Sequence, residues 1–240
     1  MKATSHFAMA HLLCATLQKR GVYLDRIAFV YGNIEPDQTP AMWFHPHFRK
    51  FCSRSIASIT EELAEISLSS TGRVGAYYSK ELGMLCHYIC DYFCFAHNEE
   101  FSGSIKQHIA YENDLDTYLR RDCLNLLDMD GSDKLPRFSS AVELAGSIEA
   151  AHGEYINSEF SLQSDLRFAF DACVTAIINI VAISKSRPAA SFGAQMEDFM
   201  NSLKGYATGH NLVFRMFMFK YRNHNLFFLP ELMPPIGAYS

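Results

Sequence analysis

Residues 87–112 read HYICDYFCFAHNEEFSGSIKQHIAYE, and within them His87, Asp91, His97, His108 and Glu112 form the ordered set H-x3-D-x5-H-x10-H-x3-E. Two of these spacings are helical: His87 and Asp91 share one helix face, and so do His108 and Glu112. A face that offers one imidazole and one carboxylate per turn presents nitrogen and oxygen ligands to a zinc ion. With 10 His and 26 acidic residues in 240 positions, roughly one H-x3-[D/E] pair arises by chance, so a single pair carries little weight. Two pairs on adjacent helices, with His97 at the break between them, carry much more.

Working outward from this stretch, helical periodicity dominates the chain and strand alternation is scarce. The pattern predicts that Ser5 caps a first helix running to about Lys19, and that a loop follows, punctuated by Gly32, Asn33, Pro36, Asp37 and Pro40. Further helices are expected near 48–68, 74–96, 103–127, 139–158, 162–185 and 191–221. Thr71-Gly72, Asn98 to Gly103, Asp128 to Pro136 and Ser186 to Pro188 mark the breaks, and the tail from Leu229-Pro230 to Pro235 cannot continue a helix. The expected fold is an all-α multi-helix bundle spanning residues 1–240 as one domain, its ligands pointing inward from several helices.

Composition narrows the function. At 49% hydrophobic the chain buries a large core, and a net charge of −5 argues against a general nucleic-acid binder. Seven cysteines, an odd number without a C-x-x-C, suit a reducing cytoplasm, which is the expected location. Cys86, Cys90 and Cys94 recur every fourth residue, a stripe read as core packing with a soft metal site as the sharper alternative. Residues 7–17 are apolar, but His6 and His11 interrupt them and Gln18-Lys19-Arg20 follows, so no secretory signal is expected. The longest apolar run, Phe168 to Ile183, contains Asp171 and falls short of a membrane span.

Upstream, Tyr31-Gly32-Asn33-Ile34-Glu35-Pro36-Asp37 sets a carboxylate just after a proline, Trp43-Phe44-His45-Pro46-His47 offers two histidines, and Thr4-Ser5-His6 opens the first helix. With His87 to Asp91, Ala96-His97-Asn98 and His108 to Glu112, this series resembles the zinc-dependent phospholipases C, whose fold and ligand layout are shared by single-strand-specific zinc nucleases. The resemblance spans residues 1–112 and implies an all-α bundle holding two or three zinc ions in one cleft. It implies Asp37, His47, His87 and Asp91 for one ion, with His45 the alternative to His47. His97, His108 and Glu112 would hold a second, with water in the open position. His6, Asp91 and the amine of Met1 would hold a third. In secreted relatives a processed N-terminal tryptophan supplies that amine; here Lys2 after Met1 disfavours methionine removal, which leaves the role to Met1 itself.

Such a cluster suits phosphodiester hydrolysis. Zinc lowers the pKa of bound water toward ~7, and closely spaced ions clamp the phosphate during in-line displacement. Against the metal charges, the carboxylates of Asp37, Asp91 and Glu112 leave the pocket positive and attractive to a phosphate anion. Asp37 is also the candidate general base. Glu35, Tyr88, Tyr92 and Asn98 are candidates to orient the ligands, whereas His11, His152, His210 and His224 lack a paired acid and read as structural. The expected activity is that of a phospholipase C-type hydrolase acting on a phospholipid headgroup or similar diester. The apolar and basic run Leu212 to Leu229 reads first as a core helix ending in a solvated basic turn, with peripheral membrane contact as the alternative. A nuclease or nucleotidase on the same metals, and a non-catalytic metal-binding protein, are the competing readings.

Overall fold

A computed structural model of the chain describes residues 1–38, 49–68, 74–128, 135–188 and 200, with only the backbone described over 123–128. Among them lie seven α-helices and no strand: α1 Ala3–Lys19, α2 Arg26–Gln38, α3 Arg49–Glu65, α4 Ala76–Tyr92, α5 Ile105–Asp128, α6 Ala141–Ile156 and α7 Leu162–Ser186. A single turn of 3-10 helix, Phe95–His97, sits between α4 and α5. The all-α expectation holds. His45, His47, His210, His224 and the Leu212 to Leu229 run lie outside the described residues.

Two local readings are corrected. Ser5 does not cap α1: the helix starts at Ala3, and Ser5 is buried inside its first turn, donating from its hydroxyl to Asp116 on α5 at 3.1 Å. Nor is the stretch from Tyr31 to Asp37 a loop. It is the second half of α2, which Asp25 caps by accepting the Ala28 N–H at 3.0 Å. Gly32 and Asn33 read as turn residues from sequence, but the glycine is there for close approach. A Cβ on Gly32 would lie 2.0 Å from the Lys80 carbonyl oxygen, and one on Gly83 would lie 2.1 Å from that of Phe29. The backbones of α2 and α4 therefore touch, and only glycine fits at either point. Pro36 removes one N–H from the last turns of α2 without ending it.

α4 runs through the middle of the bundle, with Leu82, Leu85, Ile89 and Cys90 buried among Leu12, Leu13, Phe29 and Ile177. The cysteine stripe meets α7, where the Cys173 sulfur lies 3.9 Å from that of Cys90 and donates to the Cys86 carbonyl at 3.8 Å. That contact is core packing, as the spacing suggests. α7 is longer than the apolar run implies. Its 25 residues are long and apolar enough to cross a membrane by length and composition, yet Asp165, Asn179 and most of the apolar residues between them are buried against the other helices, with Phe168 and Ile178 half-buried.

Candidate metal centre

Four helices and the 3-10 turn bring the site together. His6 comes from α1, Asp37 from the end of α2, His87 and Asp91 from α4, His97 from the 3-10 turn, and His108 and Glu112 from α5. His6, His87 and Asp91 form one group of converging ligand atoms and His97, His108 and Glu112 a second.

In the first group, His6 Nε2 lies 3.3 Å from Asp91 Oδ1 and His87 Nε2 lies 3.4 Å from Oδ2, with all three side chains fully buried. The two imidazoles stack with their centroids 4.0 Å apart. His87 is oriented from behind, its Nδ1–H donating to the Asn33 carbonyl at 2.9 Å. Asp37 Oδ1 stands at the edge, 4.0 Å from His87 Nε2. In the second group, Glu112 Oε1 lies 3.1 Å from His97 Nε2 and 3.5 Å from His108 Nε2. Asp91 joins the two groups, its Oδ1 being 3.6 Å from His97 Nδ1.

These separations fit zinc. Ligand atoms about 2.0–2.1 Å from a tetrahedral ion stand ~3.3 Å apart along each edge. His6 adds a second indication: it is fully buried, and neither ring nitrogen makes an aligned hydrogen bond, although Nε2 is directed at Asp91. A buried imidazole lone pair without an aligned donor is what a metal ligand offers.

The amine of Met1 is buried in the same place. It pairs with Asp91 and lies 3.2 Å from His97 Nε2 and 3.3 Å from Glu112 Oε1. Burial opposes its charge, but Asp91, Cys94, Glu112 and Asp37 outweigh burial and hold its pKa well above the ordinary value. His6 behaves alike: burial works against the imidazolium, yet Asp91 raises it to about 10. Burial pushes the Asp91 carboxyl up, but the amine, His97, His6 and His87 overcome that and hold it well below its usual range. Glu112 is likewise driven down, against burial, by His108, His97 and the amine. His97 is lowered, by burial first and then by the amine. The buried Asp91 and the half-buried Glu112 are thus kept ionised by surrounding cations, and a divalent ion at these atoms would compete with protons.

The expected helpers divide. Asn98 does support the site, donating from its amide to the Tyr92 and Cys94 carbonyls at 3.2 and 2.8 Å and so shaping the turn before His97. His152 receives no ligand role but packs the same segment: it stacks on Tyr92 at 3.8 Å, lies 2.9 Å from Asn98 Oδ1, and is lowered to about 4, chiefly by burial. Glu35 pairs with Lys80 at 2.7 Å and accepts from the Tyr31 hydroxyl, linking α2 to α4. Tyr88 packs edge-on against the His87 ring, and the Tyr92 hydroxyl donates to Glu149. His11 pairs with Arg26 at 2.6 Å and is held down to about 3 by burial and that guanidinium. The Asn33 carbonyl escapes sequence reading altogether, because a backbone acceptor has no residue signature.

No curated protein and no solved structure matches the chain significantly. The model of one family, zinc dependent phospholipase C, matches residues 5–162, well over half of the 240 positions and including every described side-chain member of both groups. The chain belongs to the zinc-dependent phospholipase C family.

Proposed function

We propose that the protein is a metal-dependent phosphodiester hydrolase of phospholipase C type, its ligands being His6, Asp37, His87, Asp91, His97, His108, Glu112 and the Met1 amine, with His47 completing the set. The observation that carries the reading is the pair of histidine–carboxylate groups, each with tetrahedral edge lengths, joined through Asp91. Zinc held there would lower the pKa of bound water toward ~7 and offset charge on the phosphoryl oxygens.

The protein's own residues divide the work. The first group is fully buried, whereas His108 keeps 29% of its side chain exposed and Glu112 16%, so the diester approaches from the His108 side. Asp91 and Glu112 fix the ligand imidazoles by charge. Asp37, 12% exposed at the rim of the first group, accepts the proton of the attacking water. The product is a phosphorylated headgroup or an equivalent phosphomonoester. Contact with a phospholipid surface belongs to the same proposal.

The test is metal content by mass spectrometry, followed by hydrolysis of p-nitrophenyl phosphorylcholine, a bis-aryl phosphodiester and single-stranded DNA. Two or three zinc ions with release from the first compound support the reading. Release from DNA alone moves the assignment to a nuclease. Bound zinc without hydrolysis of any of the three makes this a non-catalytic metal protein.

A further inference from the structure

Asp165, in the first turn of α7, has a fully buried side chain that ends between the elements carrying the second ligand group. Its Oδ2 accepts both the Phe95 backbone N–H at 2.9 Å and the Tyr111 hydroxyl at 2.8 Å, while Oδ1 accepts the Tyr155 hydroxyl at 2.8 Å. Phe95 opens the 3-10 turn that ends in His97. Tyr111 immediately precedes Glu112 on α5 and lies one turn beyond His108. One carboxylate oxygen therefore ties the turn bearing His97 to the helix bearing the other two ligands, and the second oxygen anchors the assembly to α6. Packing reinforces the tie: the Phe95 ring stacks on Phe160 at 4.3 Å and meets Tyr111 edge-on at 5.8 Å.

The first ligand group is oriented by different atoms, the Asn33 carbonyl behind His87 and the α1 backbone that carries His6. His6 and His87 thus have supports that Asp165 does not touch, although Asp91 is common to both groups. Asp165 also lies beyond residues 5–162, so the family match assigns it nothing.

We propose that Asp165 is a positioning residue that holds His97 in register with His108 and Glu112, and so sets how tightly those three side chains bind a zinc ion. The inference rests on the reading of that group as zinc ligands. A carboxylate that fixes ligand-bearing segments acts on affinity through ligand orientation, an effect typically worth 10–100-fold for outer partners of a metal site.

The experiment is a zinc titration of metal-free protein against a chromophoric chelator, giving the number of ions and the affinity of each, with folding followed by circular dichroism. Asp165→Ala should weaken one ion by roughly 10–100-fold and leave the other near its wild-type affinity. Tyr111→Phe, which removes only the hydroxyl on α5, should weaken the same ion by a smaller factor, and it decides the matter if Asp165→Ala does not fold. In a His108→Ala background the Asp165 substitution should add little, because both act on one ion. The proposal is overturned if the wild type loads zinc and both variants bind every ion as it does, or if all ions weaken equally. A wild type that binds no zinc is a different result: it removes the metal reading itself, and this inference with it.

Discussion

His87 donates its Nδ1–H to the Asn33 carbonyl at 2.9 Å, which fixes the tautomer and leaves Nε2 as the lone pair facing Asp91. The bond exists because α2 and α4 approach to backbone contact at Gly32 and Gly83. Gly83→Ala would place a methyl group 2.1 Å from the Phe29 carbonyl oxygen, with backbone that cannot swing aside. The helices must separate, costing on the order of 3 kcal/mol from overpacking and lengthening the His87–Asn33 bond. The expected result is a lower Tm together with weaker zinc binding. A variant that melts and loads zinc like the wild type would show that the close approach does not matter.

What could be read from the sequence follows the range of the interaction involved. The 87/91 and 108/112 pairs are legible because helix geometry alone sets each pair on one face. That His6 belongs beside Asp91 was available only through family resemblance, since no spacing rule connects positions 85 residues apart in the chain; that it also stacks on His87 came from the structure alone. The helix at Arg26–Gln38 was hidden for a physical reason: Gly32, Asn33 and Pro36 carry the chemistry of a turn, yet the glycine serves interhelical approach. Asp165 left no trace, because an acidic residue in a first helical turn is ordinary and its partners lie 54 to 70 positions upstream or on α6.

Asp37 separates ligand from base. Asp37→Asn keeps an oxygen at the same place but cannot take a proton, so zinc content should persist while kcat on p-nitrophenyl phosphorylcholine falls by about 100-fold or more. Turnover near the wild-type rate with zinc retained would strip Asp37 of the base role and leave it, at most, a ligand.

Metal removal has a stability signature independent of catalysis. Without a divalent ion, Asp91 and Glu112 rely on protonated His6 and the Met1 amine for charge balance. Zinc at 100 times its Kd adds about 2.7 kcal/mol to the folded state, which for a chain of this size raises Tm by roughly 5–10 °C. Dialysis against chelator should lower the melt by that amount and readdition of zinc should restore it. Melting curves that superimpose with and without chelator, metal loss being verified by mass spectrometry, would contradict zinc binding at these ligands.

Asp165 supplies a pH dependence whose sign is opposite to that of an ordinary salt-bridged acid. Burial raises its carboxyl from the ordinary value of 3.8 to about 6, against the three hydrogen bonds it accepts. Between those two values the folded protein holds a proton that the unfolded chain has released, so this group's contribution to stability falls as pH rises through the window and stays low above it. A shift of about two pKa units corresponds to ~3 kcal/mol. Asp165→Asn, which cannot ionise, escapes this loss. The stability of the variant minus that of the wild type, from denaturant melts of metal-free protein, should therefore increase by about 2 kcal/mol between pH 4 and pH 7, most of the full shift. A difference that stays flat or falls over that range would mean that Asp165 is already ionised at pH 4, stabilised by the Phe95, Tyr111 and Tyr155 donors more than burial costs it.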